Sequence, residues 1–160
     1  MMINTRETVS AVVAMLQQSG AACDLFGGWA EELLGLREPT PHGDIDLVYR
    51  GENFKHFDAV IEANPDAVEV PPKRFRHKRA FHVFGTLCEV MLVQEFEERP
   101  ITLFWGDVPF AWEVPFLHGS LIQIGEQPLT IVSAVNLQRY RTHHKQTQPY
   151  RWADPQSLEA

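Results

Sequence analysis

Basic residues are scarce in this chain: 14 Lys and Arg stand against 21 Asp and Glu, for a formal charge of −7. Broad nucleic-acid binding is driven by Lys and Arg neutralising phosphates. The balance therefore argues against nucleic acid and for a small ligand or a protein partner. Long apolar runs are missing as well. The longest, such as Leu87 to Val93, is broken by Glu89 and falls far short of the ~20 residues that cross a bilayer. No basic segment followed by an apolar stretch opens the sequence, so no signal peptide and no membrane association are expected, and a cytoplasmic protein is the default. Cysteine is nearly absent. Cys23 and Cys88 sit in apolar surroundings without metal-like spacing to each other or to a histidine, and read as buried free thiols. No internal repeat, low-complexity block or linker is present.

At 160 residues and 44% hydrophobic, the chain can close one core but is too short for two ordinary domains. A single domain over residues 1–160 is expected, with a peripheral polar tail after about residue 146. The first helix is expected from Asn4, where Asn4 and Glu7 have capping-box spacing and Val9, Val12, Val13 and Leu16 form one stripe. Ser19-Gly20 ends it. Ala22 to Phe26 reads as a short strand running into Gly27-Gly28, followed by a helix carrying Trp29, Leu33, Leu34 and Leu36, with Gly35 near its stop.

After a loop with Pro39 and Pro41, Asp44 to Tyr49 alternates as a strand. Asn53 is placed to cap a helix carrying Phe54, Phe57, Val60 and Ile61, closed by Asn64-Pro65, and a short strand near Val68 follows. Residues 79–84 and 87–93 read as a hairpin joined at Gly85-Thr86. Phe96 to His118 is rich in aromatics and proline without a clean period, and reads as a loop wall or irregular strands. Leu121 to Ile124 and Leu129 to Val132 read as strands, and Ser133 is placed to cap a helix reaching about Lys145. The sum is an α+β fold, a mixed β-sheet flanked by helices.

The chemistry concentrates in acidic residues. On a strand, positions i and i+2 face the same way about 6.6–6.8 Å apart, so Asp44 and Asp46 can converge on one hard cation while Ile45 packs inward. Two strand carboxylates plus a nucleotide suit Mg²⁺, which prefers oxygen ligands and keeps positions for water and phosphate. A D-x-D pair also occurs on solvated strand faces. Glu89 adds weight, because both alternate faces of Leu87 to Val93 are otherwise apolar and a buried carboxylate needs a cation or a hydrogen-bond partner. That partner is a metal or a Lys or Arg of the basic run Lys73 to Arg79. Gly27-Gly28 between strand and helix gives backbone room for phosphates, or forms a tight structural turn.

Phe26-Gly27-Gly28-Trp29-Ala30, a spacer of about a dozen residues and His42-Gly43-Asp44-Ile45-Asp46-Leu47 together resemble the nucleotidyltransferases that inactivate lincosamide and aminoglycoside antibiotics. The resemblance is strong over residues 22–48, extends to Glu89, and touches the late helix with Asp154 and Leu158. It implies a polymerase-beta-like nucleotidyltransferase fold. It further implies Asp44 and Asp46 holding one Mg²⁺ or a pair on a nucleoside triphosphate, ATP foremost, with Glu89 completing the metal site and activating the acceptor hydroxyl. Gly27, Gly28, Trp29 and His42 are then nucleotide-side residues.

The sequence departs from the family pattern at Ala30 for glycine, Glu32 for aspartate, Thr40 for arginine, Glu89 for aspartate and Met91 for histidine. Lys73, Arg74, Arg76, Lys78 and Arg79, with Arg76 foremost, and Arg141 and Lys145 on the late helix are further candidates for the triphosphate, against the reading of solvated strand and helix faces. His77, His82, His143 and His144 lack zinc-motif spacing and read as surface or packing residues. Trp105, Phe110 and Trp112 wall an acceptor pocket or fill the core. The expected activity is transfer of a nucleoside monophosphate, AMP foremost, to a hydroxyl of a small, antibiotic-like acceptor with release of pyrophosphate. The alternatives are a non-catalytic nucleotide-sensing or partner-binding member of the fold, antitoxin-like, or an enzyme acting on a protein.

Overall fold

The computed structural model describes residues 4–96 and 98–147, without the side chains of residues 96, 145 and 146. The tail expected to be peripheral, with Asp154 and Leu158, lies outside the described residues.

Helix α1 spans Arg6–Gln18 and starts one residue later than the sequence suggests. Its cap is Thr5, whose hydroxyl accepts from the Thr8 amide while the Thr8 hydroxyl accepts from the Thr5 amide. Asn4 is unavailable for capping because it is buried: its Nδ2 donates to Thr86 Oγ1 at 3.1 Å and its Oδ1 accepts from Trp29 Nε1. Val9, Val12, Val13 and Leu16 are the stripe that α1 buries, the spacing of an amphipathic helix.

Strand β1 (Asp24–Phe26) lies antiparallel to β2 (Asp44–Arg50). Between them in sequence is the short helix α2 (Gly27–Leu33), which ends before Gly35 at φ +72°. Helix α3 (Lys55–Ala63) carries the chain across, so that β2 and β5 (Thr86–Phe96) run parallel. Strands β4 (Lys78–Val83) and β3 (Val68–Glu69) complete the order β1-β2-β5-β4-β3, each antiparallel to its neighbour beyond β5. The hairpin turn is Phe84-Gly85, both at positive φ, the twist a two-residue turn requires; the expected Gly85-Thr86 link is displaced by one residue.

The aromatic stretch is a second hairpin, β6 (Arg99–Phe104) and β7 (Val108–Ala111), paired to the far end of β5. Its period is hidden because the pattern is inverted: Thr102 is buried while Leu103 is 41% exposed. The Thr102 hydroxyl is satisfied inside, donating to the Leu92 carbonyl at 2.8 Å and accepting from Trp112 Nε1 at 2.9 Å. Phe110 and Trp112 are core residues with ring centroids 4.7 Å apart. Trp105 is half-buried against Phe75 and His77, and its Nε1 donates to the Thr147 carbonyl. Strands β8 (Ile122–Ile124) and β9 (Gln127–Leu129) form a separate hairpin. The second of these ends earlier than expected, Ile131 and Val132 making only isolated bridges to Leu25 and Leu117.

Helix α4 (Ala134–Thr142) begins after Ser133 and is followed by α5 (His144–Thr147). The Ser133 side chain makes no capping bond. Ile45 and Leu47 on β2 and their partners Cys88 and Val90 on β5 are buried on one face, and Val48 and its partner Met91 on the other, as in a parallel pair covered on both faces. Both thiols are buried, as expected. Among the described residues no helix is long and apolar enough to cross a membrane.

Candidate active site

The parallel β2·β5 pairing decides which side chains meet. Asp46 lies opposite Glu89 in register, with Phe26 of β1 on its other side. Across β5, Ala80 is paired with Glu89, which puts Lys78, two residues away on β4, on the same face. Asp44 shares that face with Asp46. Together these residues, with Gly27, Gly28 and Glu31 of α2 and Tyr140, Arg141 and His144 above them, line a cleft of about 290 Å³.

The two aspartates are electrostatically unfinished. Burial, then the charges of Asp44 and Glu89, push the Asp46 carboxyl up to about 8, and the nearby Lys78 and Lys73 offset only part of this. Asp44 is raised by burial and then by Glu89. Among the described residues neither carboxylate accepts a hydrogen bond. Crowded acids without donors fit a hard divalent cation, which supplies the missing positive charge to oxygen ligands.

Glu89 is different. Burial acts to raise its pKa, but the hydrogen bond and charge of Lys78, joined by those of Lys73, hold the carboxyl below its ordinary range. Lys73 Nζ is 3.3 Å from Oε1, and Lys78 Nζ pairs with Oε2. The lysine partners the sequence leaves open for Glu89 are thus in place, one on each carboxylate oxygen. Among the described residues no three His, Cys, Asp or Glu side chains converge as a metal cage.

The remaining candidates fall into groups. Gly27 and Gly28 line the cleft. Gly27 has φ +67°, and a Cβ built there would land on the Asp46 carboxylate, while one at Gly28 would come within 3.1 Å of the His42 ring. The glycines therefore let α2 start directly against β2. Gly27→Ala is expected to cost about 1–3 kcal/mol and to displace Asp46; a denaturant midpoint equal to that of the wild type contradicts this reading.

Trp29 and His42 stand behind the cleft, not in it. Their rings pack with centroids 4.3 Å apart, and His42 Nε2 is 2.9 Å from Glu32 Oε1, which also accepts from the Thr40 amide at 3.1 Å. The Glu32 carboxylate thus fixes the loop entering β2 through His42 and the Thr40 backbone amide; the Thr40 side chain takes no part in these contacts.

The structure does not bring Arg76 to the acids. Arg76 and His77 are the central residues of a tight turn in which Phe75 and Lys78 exchange backbone hydrogen bonds of 3.0 and 3.1 Å. The Arg76 side chain leaves the sheet there, packs at Gly106 and borders a separate groove with Glu52 and Asn53. His77 is buried, accepts from the Trp105 amide on Nδ1 and is lowered to about 4 by burial, with the Lys78 charge adding to the shift. It is therefore a neutral packing residue. Arg141 does reach the cleft, where the Nε and Nη2 edge of its guanidinium donates to the two carboxylate oxygens of Glu31. The side chain of Lys145 lies outside those described.

Sequence reasoning named Lys78 only within the basic run, with Arg76 put first, and missed Glu31, Tyr140 and His144. Lys78 had a signal: the period of two carried back from the hairpin allows both Arg76 and Lys78 on the Glu89 face, and the turn at residues 75–78 selects Lys78. The other three depend on how α2 and α4 pack, and their sequence gives no local sign of it.

No protein-family model matches the chain, and no curated protein matches it by sequence. Solved structures do match. The lincosamide antibiotic adenylyltransferase LnuA, bound to lincomycin, superposes with a TM-score of 0.66 at 12% identity, over 94% of this chain and 99% of that one. The protein ANT(2'')-Ia, in complex with adenylyl-2''-tobramycin, gives 0.59 at 16% identity, over 96% of this chain and 83% of that one. An antigenic nucleotidyltransferase-like protein from Paracoccidioides brasiliensis gives 0.54 at 17%, over 94% and 68%. The chain has the nucleotidyltransferase fold, as the motif around Gly27-Gly28 and Asp44-Ile45-Asp46 implies. Its α+β mixed sheet is that of the solved antibiotic enzymes.

Proposed function

We propose that this protein is a metal-dependent nucleotidyltransferase that moves a nucleoside monophosphate, AMP in the first instance, from a nucleoside triphosphate to a hydroxyl of a small acceptor. The observation that carries the reading is the pairing of Asp44 and Asp46, two donor-poor carboxylates on one strand face, beside the Gly27-Gly28 turn in a cleft of this fold.

Asp44 and Asp46 are the residues that would hold Mg²⁺. When bound, such an ion neutralises triphosphate charge and aligns the α-phosphoryl group. Gly27 and Gly28 leave room for phosphate beside β2, and Trp29, His42 and Glu32 keep the loop before Asp44 in place. The acceptor oxygen forms a bond to the α-phosphorus as the bond to the pyrophosphate oxygen breaks. The hydroxyl proton passes to the Glu89 carboxylate, which lies opposite Asp46 in register and lines the same cleft. Because LnuA is bound to lincomycin and ANT(2'')-Ia to adenylyl-2''-tobramycin, hydroxyl-bearing, antibiotic-like molecules are the first acceptor class to try.

The test is a transfer assay with ATP labelled at the α-phosphate, Mg²⁺ and a panel of lincosamides and aminoglycosides. Label on a small acceptor with equimolar pyrophosphate is expected. Label on a macromolecule instead assigns a protein acceptor. The lysine pairing of Glu89 favours a second reading, a nucleotide-sensing module, which gives Mg²⁺-dependent binding and no transfer to any acceptor.

A further inference from the structure

Resting on the nucleotidyltransferase reading, we propose that Lys78, assisted by Lys73, is a triphosphate ligand for which Glu89 acts as a stand-in anion until nucleotide arrives. Entry of the triphosphate moves the lysines onto phosphate oxygens and frees Glu89 to receive the acceptor proton. Proton acceptance by Glu89 is then coupled to the presence of nucleotide.

The geometry supports this exchange. Lys78 lies on the cleft side of β4, lines the same hollow as Gly27, Gly28, Asp44 and Asp46, and keeps a quarter of its side chain exposed. Lys73 approaches from the three-residue 3₁₀ turn Pro71–Lys73, 42% exposed, and makes one bond of 3.3 Å to Glu89 Oε1. The Glu89 side chain is only 16% exposed. The two cations therefore sit on one buried acid, Lys78 facing the cleft and Lys73 partly exposed beside it. A triphosphate offers more charge and more acceptor oxygens than one carboxylate, and an ammonium on a flexible stem can turn from one to the other without moving the sheet.

Arg141 repeats the arrangement on the opposite wall, where Glu31 holds it. Cations on both sides of the cleft are thus neutralised by acids of the cleft itself. No proton changes hands in the exchange, since the lysines stay protonated and only their hydrogen-bond acceptors change. The chemical step is unaltered: the acceptor hydroxyl loses its proton to Glu89, and pyrophosphate leaves carrying its charge against Lys78 and Lys73.

The experiment is isothermal titration with an ATP analogue carrying a methylene bridge between its α and β phosphates, on the wild-type protein, Lys78→Met, Glu89→Gln and the double variant, with and without Mg²⁺. Lys78→Met is expected to weaken binding about tenfold to a hundredfold, and the loss is expected to persist in the Glu89→Gln background. Glu89→Gln alone is expected to strengthen binding without Mg²⁺, because it releases the lysines. The double variant removes both partners of the buried pair and so avoids an unpaired charge in the fold. Wild-type affinity restored in the double variant would overturn the proposal, since Lys78 would then only neutralise Glu89. Equal affinity of wild type and Lys78→Met overturns it too, leaving the nucleotidyltransferase reading intact. No analogue binding by the wild type defeats that reading and this one together.

Discussion

Asp46→Asn is expected to lower nucleotidyl transfer by about a thousandfold or more while making the metal-free protein more stable. The two effects share one cause. Asp46 stands between Asp44 and Glu89 in a buried position that raises its carboxyl to about 8, so its negative charge is costly in the fold and useful only once a cation is present. Asparagine keeps the shape and removes the charge. Losing a metal ligand removes the charge neutralisation on which phosphoryl transfer depends, whereas losing an uncompensated acid relieves the fold. Asp44→Asn should show the same pair of effects with a smaller gain in stability, because Asp44 is raised less. Rates come from the labelled-ATP assay and stabilities from urea unfolding in a chelating buffer. A variant that loses both activity and stability would show that Asp46 is a structural residue.

The second large effect is in the pH dependence. Folded Asp46 keeps its proton to about pH 8, whereas an unfolded aspartate releases it near 3.8. Between these values the folded chain holds a proton that the unfolded chain has lost, so this group makes stability fall as pH rises. The full loss is reached above pH 8. Comparison with Asp46→Asn cancels the titrating groups that do not interact with Asp46, leaving it and its coupled neighbours Asp44 and Glu89. The variant's advantage in urea is expected to be small at pH 4 and to grow to several kcal/mol, about 5 at most, by pH 8. Saturating Mg²⁺ should shrink the gap by stabilising only the wild type. Parallel stability curves for the two proteins would mean that Asp46 is not held protonated in the fold.

What the sequence disclosed and what it hid divide along physical lines. Regular alternation and helical spacing are local, so β1, β2, α3 and the β4·β5 hairpin were legible, with ends displaced by one to three residues where caps, turns and the added β6 pairing compete. Asn4 shows the competition: its amide is used in a buried contact to Thr86 and Trp29, and Thr5 caps α1 instead. The β6·β7 hairpin was not legible, because burying Thr102 and exposing Leu103 inverts the pattern that period-two reading relies on. At the site, Asp44, Asp46, Gly27 and Gly28 could be found because they stand together in sequence. Glu89 could be found because a charge inside an apolar strand demands a partner. The identity of that partner required the register of β4 against β5, which places Lys78, not Arg76, beside it.

The central claim is that Asp44 and Asp46 form a metal-dependent nucleotide site. The measurement that tests it most directly is isothermal titration of the wild type and of the Asp44→Asn, Asp46→Asn double variant with a non-hydrolysable ATP analogue, with and without Mg²⁺. Binding by the wild type that requires Mg²⁺ and disappears in the double variant is the predicted result. Binding that is indifferent to Mg²⁺, or equal in the two proteins, would contradict the account.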